Sequence, residues 1–181
     1  TFSVEEEGSL RGMLDGGAGG FDSLVVNFPG VRTLVYDAQG SNSGEVNADG
    51  NIIRFVGLEP VTISGTPENL IIDASTGNDN LTLELDPSDP GKLALTDGGS
   101  PPTIEAPSFT KPSVSLEIRL NSGNDTFTVG DVGDFDLSKI TVLGGDDTDD
   151  RLIGPNSDSL WEIVYSDIGS VNKLKFEEFE H

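Results

Sequence analysis

One internal repeat restricts the fold more than any other feature. Ile72-Asp73-Ala74-Ser75-Thr76-Gly77-Asn78-Asp79-Asn80-Leu81-Thr82-Leu83 returns 46 residues later as Ile118-Arg119-Leu120-Asn121-Ser122-Gly123-Asn124-Asp125-Thr126-Phe127-Thr128-Val129. Each copy reads as strand, tight glycine turn, strand. Such a unit cannot bury its apolar face alone, so copies must stack. A looser pair follows the same plan: 14–24, with its Gly/Asp turn ahead of Leu24, and 143–152, with Gly144-Gly145-Asp146-Asp147 ahead of Leu152. The turns at Gly123 and Gly145 are 22 residues apart, a span comparable to one coil of a parallel β-helix. The stretch from Gly77 to Gly123 then holds two coils, or one coil with an excursion.

A second repeat links the two ends of the chain. Leu34-Val35-Tyr36, Gly44-Glu45-Val46-Asn47 and Ile53-Arg54-Phe55-Val56-Gly57-Leu58-Glu59 align with Ile163-Val164-Tyr165, Gly169-Ser170-Val171-Asn172 and Leu174-Lys175-Phe176-Glu177-Glu178-Phe179-Glu180. This alignment sets Tyr36 and Tyr165 at matching places, with apolar neighbours that favour packing over a sugar-stacking role with Trp161. The chain is expected to be one repeat-derived β domain, 1–181, amounting to about one period of a longer array.

Strand signals dominate. Short β-rich runs at 23–28, 32–36, 51–56, 70–73, 81–85, 115–120, 126–129, 139–143 and 161–165 are each bounded by Gly, Pro, Asn, Asp or Ser. Asp49-Gly50 and Asp97-Gly98-Gly99 read as hairpin turns. Helix is conceivable only in the acidic run Glu5 to Glu7 and in 173–180, and neither has a clear apolar stripe. The prolines at 101, 102, 107 and 112 predict a loop or excursion over 97–112.

Charge and composition then exclude whole classes of function. The 181 residues hold 10 Lys and Arg against 32 Asp and Glu, a net charge of −22. That field repels phosphate backbones and anionic headgroups, so nucleic-acid binding and polybasic membrane docking lack their driving force. No apolar run reaches the length of a membrane helix, which argues against membrane insertion. Without cysteine, thiolate metal sites, disulfides and cysteine nucleophiles are impossible, and the lone histidine is terminal His181, which argues against Ser-His-Asp and imidazole-metal chemistry.

The turns favour cations instead. Calcium takes 6–8 hard oxygen ligands. Gly-Asn-Asp turns supply them, because glycine lets carbonyls face inward while Asp and Asn add side-chain oxygens nearby. The densest acidic cluster, Asp131, Asp134, Asp136, Asp146, Asp147, Asp149 and Asp150, is opposed by Lys139 and Arg151 alone. The same residue types also build metal-free turns and solvated acidic edges. An EF-hand over 73–84 is excluded, since Asn78 stands where the loop glycine is required and no helices flank it.

Gly77-Asn78-Asp79-Asn80-Leu81 and Gly123-Asn124-Asp125-Thr126-Phe127 resemble degenerate forms of the RTX (haemolysin-type) calcium-binding nonapeptide. Residues 152–161, with the later Gly-x-Val-Asn and Phe-Glu-Glu-Phe-Glu pieces, are similar to haemagglutinin-like repeat units of very large bacterial surface or secreted proteins. The resemblance implies a right-handed parallel β-helix or related β-solenoid decorated with hairpins, with calcium as its ion. It also implies ligands at Asp22, Asp79, Asp125, Asp147 and Asp149, with Asp73, Asn78, Asn124 and Asp146 as further candidates.

The expected function is a non-catalytic, calcium-binding structural or adhesion module, extracellular or at the bacterial cell surface. Its expected partners are neighbouring repeats of the same chain and a cell-surface or matrix carbohydrate or protein. Two alternatives remain open. A carbohydrate-binding or polysaccharide-lyase-like module would place Trp161 or Arg151 in a cleft, with Arg119 and Arg151 beside acidic turns. An adhesin-type β-sandwich would pair the same strands antiparallel, whereas parallel register between 77–83 and 123–129 marks the stacked arrangement.

Overall fold

The computed structural model describes residues 1–5, 8, 10–19 and 21–180. The possible helix through Glu6 and Glu7 and terminal His181 lie outside the described residues. The strands run in chain order as follows. The N-terminal part holds β1 (Phe2–Glu5), β2 (Met13–Asp15), β3 (Leu24–Asn27), β4 (Thr33–Gly40), β5 (Ser43–Ala48) and β6 (Asn51–Val56). The middle holds β7 (Val61–Ile63), β8 (Asn69–Asp73), β9 (Asn80–Leu85), β10 (Lys92–Asp97), β11 (Ser108–Thr110) and β12 (Ser115–Arg119). The remainder holds β13 (Thr126–Val129), β14 (Ile140–Leu143), β15 (Arg151–Ile153), β16 (Trp161–Tyr165), β17 (Ile168–Val171) and β18 (Leu174–Glu177).

The protein is all-β: two mixed sheets, neither closed, with no α-helix among the described residues. One sheet has the order β1-β3-β7-β11-β10-β9-β13-β15 and the other β16-β17-β18-β14-β12-β8-β4-β5-β6-β2. The repeat dictates this order. Ile72 pairs with Ile118 and Leu81 with Phe127, both in parallel register, so like residues lie over like. The row continues on each side as Tyr36–Ile72–Ile118–Val142–Phe176. In the other sheet Leu81, Phe127 and Leu152 form the matching row. Period-2 alternation turns these residues inward, and one buried cluster joins the inward residues of both sheets.

The 46-residue interval proves to be one layer with an excursion. β12 pairs directly with β8 and β13 with β9, while β10 and β11 leave the repeat as a wide antiparallel hairpin. The proline-rich stretch 97–112 is therefore not loop throughout. Ser108–Thr110 is a short strand that pairs β10 on one side and β7 on the other, because Pro107 and Pro112 flank it and leave its own N–H groups available.

Within 173–180, Leu174–Glu177 forms strand β18 and no residue is helical. Leu174 and Phe176 alternate with Lys175 and Glu177, and the apolar pair is buried. Asp49-Gly50 forms the expected two-residue hairpin turn with φ of 50° and 95°, and Asn172-Lys173 forms its counterpart with φ of 49° and 78°. Lysine in the left-handed region is strained where glycine is not. Lys173→Gly is therefore expected to stabilise the protein by about 0.5–1 kcal/mol, read from the urea midpoint.

Structural equivalence of the two end hairpins corrects the alignment of the tyrosines. Val46 faces Tyr36, whereas Val171 faces Trp161; Gly44 faces Ala38, whereas Gly169 faces Ile163. Tyr36 stacks on Phe55 with ring centroids 6.2 Å apart, and Trp161 packs on Phe176 at 6.0 Å. Trp161 thus takes the place of Tyr36. Tyr165 lies near the β16–β17 turn and is 69% exposed, so the packing role expected of it is not realised. The shortening lies in the second hairpin, where β17 and β18 have four residues each against six in β5 and β6, which preserves the inside-outside phase; Tyr165, opposite Ile168, corresponds to Gly40 opposite Ser43.

Candidate functional site

The turns converge on a ladder of buried carboxylates. Asp79, Asp125 and Asp150 each precede an inward-facing residue by two positions, Leu81, Phe127 and Leu152, and these three are neighbours in register. Parallel stacking therefore sets the acids one above another. The N–H of Asp79 donates to Asp125 Oδ1 (2.7 Å), the N–H of Asp125 to Asp150 Oδ1 (2.8 Å), and the N–H of Asp150 to Glu180 Oε2 (3.0 Å). Each carboxylate satisfies a turn amide that the sheets leave unpaired. At the other end, Asp79 accepts from the Ser75 N–H (3.0 Å), the Ser75 hydroxyl (2.9 Å) and the Thr103 hydroxyl.

Burial is nearly complete: Asp79 is 2% exposed, Asp125 1% and Asp150 0%. Asp125 Oδ2 and Asp150 Oδ2 are enclosed without a hydrogen-bond partner among the described residues. Desolvation pushes the Asp125 carboxyl up to about 7, reinforced by the neighbouring charges of Asp79, Asp150 and Asp147, and opposed by the hydrogen bond from the Asp79 N–H. Burial raises Asp79 and Asp150 as well. All three perturbed acids are enclosed between the layers.

The excursion closes the Asp79 end. Asp97 Oδ2 accepts from the Thr103 and Ile104 N–H groups (2.6 and 3.2 Å), which presents Thr103 to Asp79. Two residues on, Glu105 is 8% exposed, accepts from the Val61 N–H (3.1 Å), and is pushed up to about 7 by burial. Its backbone carbonyl accepts the Tyr36 hydroxyl (2.6 Å). Tyr36→Phe would leave that carbonyl buried and unpaired and should cost about 1–2 kcal/mol, read by urea unfolding. A loss near zero would mean that the excursion is not anchored there.

The sequence-derived ligand candidates divide. Asp79 and Asp125 are ladder members. Asp147 lies on the exposed turn, where its Oδ2 accepts the Gly123 N–H (2.6 Å), and Asp146 and Asp149 share that turn. Asn78 accepts the Asn124 N–H (3.0 Å), a contact between successive layers that repeats the ladder's logic at the surface. Asp73 forms an ion pair with Arg119 (3.4 Å), which also bonds Glu117 (2.6 Å). Asp22 lies at the turn before β3, its carbonyl accepting the Glu59 N–H (2.7 Å).

Among the described residues no three Asp, Glu or His side chains come together as a metal-ligand group, so the set does not form a calcium cage as it stands. Sequence reasoning placed Asp150 only within the densest acidic region and not among the ligand candidates, and it missed Glu180 and Glu105 as site residues. The Asp-x-apolar spacing shared by Asp79, Asp125 and Asp150 was a usable signal for the first; Glu180 and Glu105 carry no such mark. No protein-family model matches the chain, and neither the curated proteins nor the solved structures contain a significant match to it.

Proposed function

We propose that the chain is a non-catalytic structural segment of an acidic β-solenoid, one stretch of a longer repeat array serving as spacer or adhesion module of an extracellular or bacterial cell-surface protein. The observation that carries this reading is the in-register stacking of 72–83 on 118–129, locked by side chains that serve the backbone of the adjacent layer. Residues committed to the next layer's amides are poorly disposed to bind and turn over a substrate. The reading is tested by urea unfolding beside an assay of the protein on acidic polysaccharides. One cooperative β transition and no chain cleavage are expected. Release of new sugar ends would overturn it in favour of the lyase-like alternative.

Calcium is the second reading. The two unpartnered oxygens of Asp125 and Asp150 lie behind the exposed turn that carries Asp146, Asp147 and Asp149, and that turn would have to rearrange around the ion. Ordering of acidic turns by calcium would suit an expanded chain that folds after export. Titration of chelator-treated protein by calorimetry, with melting on the same samples, decides it. Saturable heat and a higher melting temperature support calcium, whereas identical curves with chelator and millimolar calcium sink it.

A further inference from the structure

The β15–β16 end of the molecule exposes a surface that is covered in the equivalent place at the other end. Trp161 is 42% exposed and Ile163 64%, and among the described residues β16 has a strand partner on one side only. Their counterparts on β4 are Tyr36 at 0% and Ala38 at 2%. The difference lies in what covers the strand. β4 receives β8 in parallel, with Tyr36 opposite Ile72, whereas the same edge of β16 is open. The adjoining sheet repeats the contrast. β3 lies between β1 and β7, with Leu24 opposite Val61, while among the described residues its counterpart β15 pairs only with β13.

The equivalence extends to the backbone. The Gly16 N–H donates to Val56 O and the Gly144 N–H to Glu177 O, each at 2.9 Å, and Gly57 and Glu178 share a φ near 65° (66° and 64°). In the N-terminal copy the strands that cover both edges follow directly in the chain: β6 leads through Leu58 to β7 and then to β8. A hollow of about 250 Å³ lined by Leu152, Trp161, Phe176 and Phe179 stands where that coverage would pack.

We propose that the β15–β16 end is a docking surface for one further coil of the 61–73 type, its first strand running parallel along β15 and its second along β16. The coil would set the counterpart of Ile72 against Trp161. This rests on the array reading above, and adds the occupant, its direction and its register.

Trp161 is the chain's single tryptophan and reports coverage directly. The test replaces His181 by a copy of residues 60–75, which continues the phase after Glu180. A control carries I63D and I72D in the appended copy only. The copy is expected to lower acrylamide quenching of Trp161 by roughly half, since a covered indole loses contact with solvent, and to raise the melting temperature; the control should do neither. If the extended chain aggregates, synthetic peptide 59–75 added to the parent chain gives the same reading. Quenching that is unchanged by both, or equally lowered by the control, overturns the inference while leaving a cooperatively unfolding parent as an array segment. Parent chains that dimerise with Trp161 already shielded also overturn it, because a second copy is then the occupant. A parent without a cooperative β transition removes both readings.

Discussion

Asp125→Asn is expected to raise the melting temperature at pH 7.5 and to change it little at pH 4.5. The carboxyl is raised in the folded protein to about 7 from an ordinary value near 3.8, chiefly by burial. A raised carboxyl pKa means that the folded state binds the proton more tightly than the unfolded chain. Its stability contribution is therefore fully present below about pH 4 and is lost as the pH rises through about 7. With about 1.36 kcal/mol for each pH unit between those values, the loss is on the order of 4 kcal/mol at most. Asparagine keeps the acceptor for the Asp79 N–H and removes the buried charge beside Asp79, Asp150 and Asp147. Glu105 carries the same sign, so the wild-type protein should be more stable at pH 4.5 than at pH 8. Melting scans of both proteins across that range check the result. A variant that is less stable than wild type at pH 7.5 would show that the carboxylate is held ionised, as a bound cation would hold it.

Gly145→Ala should be the most damaging single methyl in the chain, costing about 3–5 kcal/mol. Gly145 has φ of +122°, a conformation essentially reserved for glycine, and an added Cβ would overlap the Asn121 carbonyl of the layer beneath. The clash is with backbone, so no side chain can move aside. Gly17→Ala is the matched control, since Gly17 has φ of +79° but open space around the added atom; it should cost only about 1 kcal/mol. Urea midpoints for the two variants measure the difference. Equal losses would mean that conformational strain, and not the close approach of layers, governs both sites.

The repeat 72–83 and 118–129 was legible because stacked parallel strands need the same inside-outside phase in every layer, and that phase is written in the order of apolar residues. The 51–56, 126–129 and 161–165 strands were readable to the residue for the same reason. Three-residue strands such as Val61–Ile63, Ser108–Thr110 and Arg151–Ile153 were not. They carry too few alternating positions to stand out, and pairing on both sides makes Val61–Ile63 and Ser108–Thr110 strands. Phe176 in the 173–180 stretch likewise shows its role only beside Val142.

The candidate site was half visible. Gly-Asn-Asp turns pointed to Asp79 and Asp125, yet the direction of the Asp125 carboxylate, inward to the Asp79 N–H of the adjacent layer, depends on a neighbour 46 residues away. The same holds for Tyr36 and Trp161, whose equivalence appears only through the partners Val46 and Val171.

By itself, then, the order of residues determined an all-β chain of glycine-turned units that must stack, a strongly acidic surface, and the absence of cysteine and of internal histidine chemistry. Those follow from local periodicity and from charge, which need no knowledge of contacts. Tertiary structure decided which acids are buried, which oxygens stay unpartnered, where the excursion rejoins the sheet, and which apolar edge is left open. Each of these is a property of pairs of residues brought together across layers, so it exists only once the chain has folded.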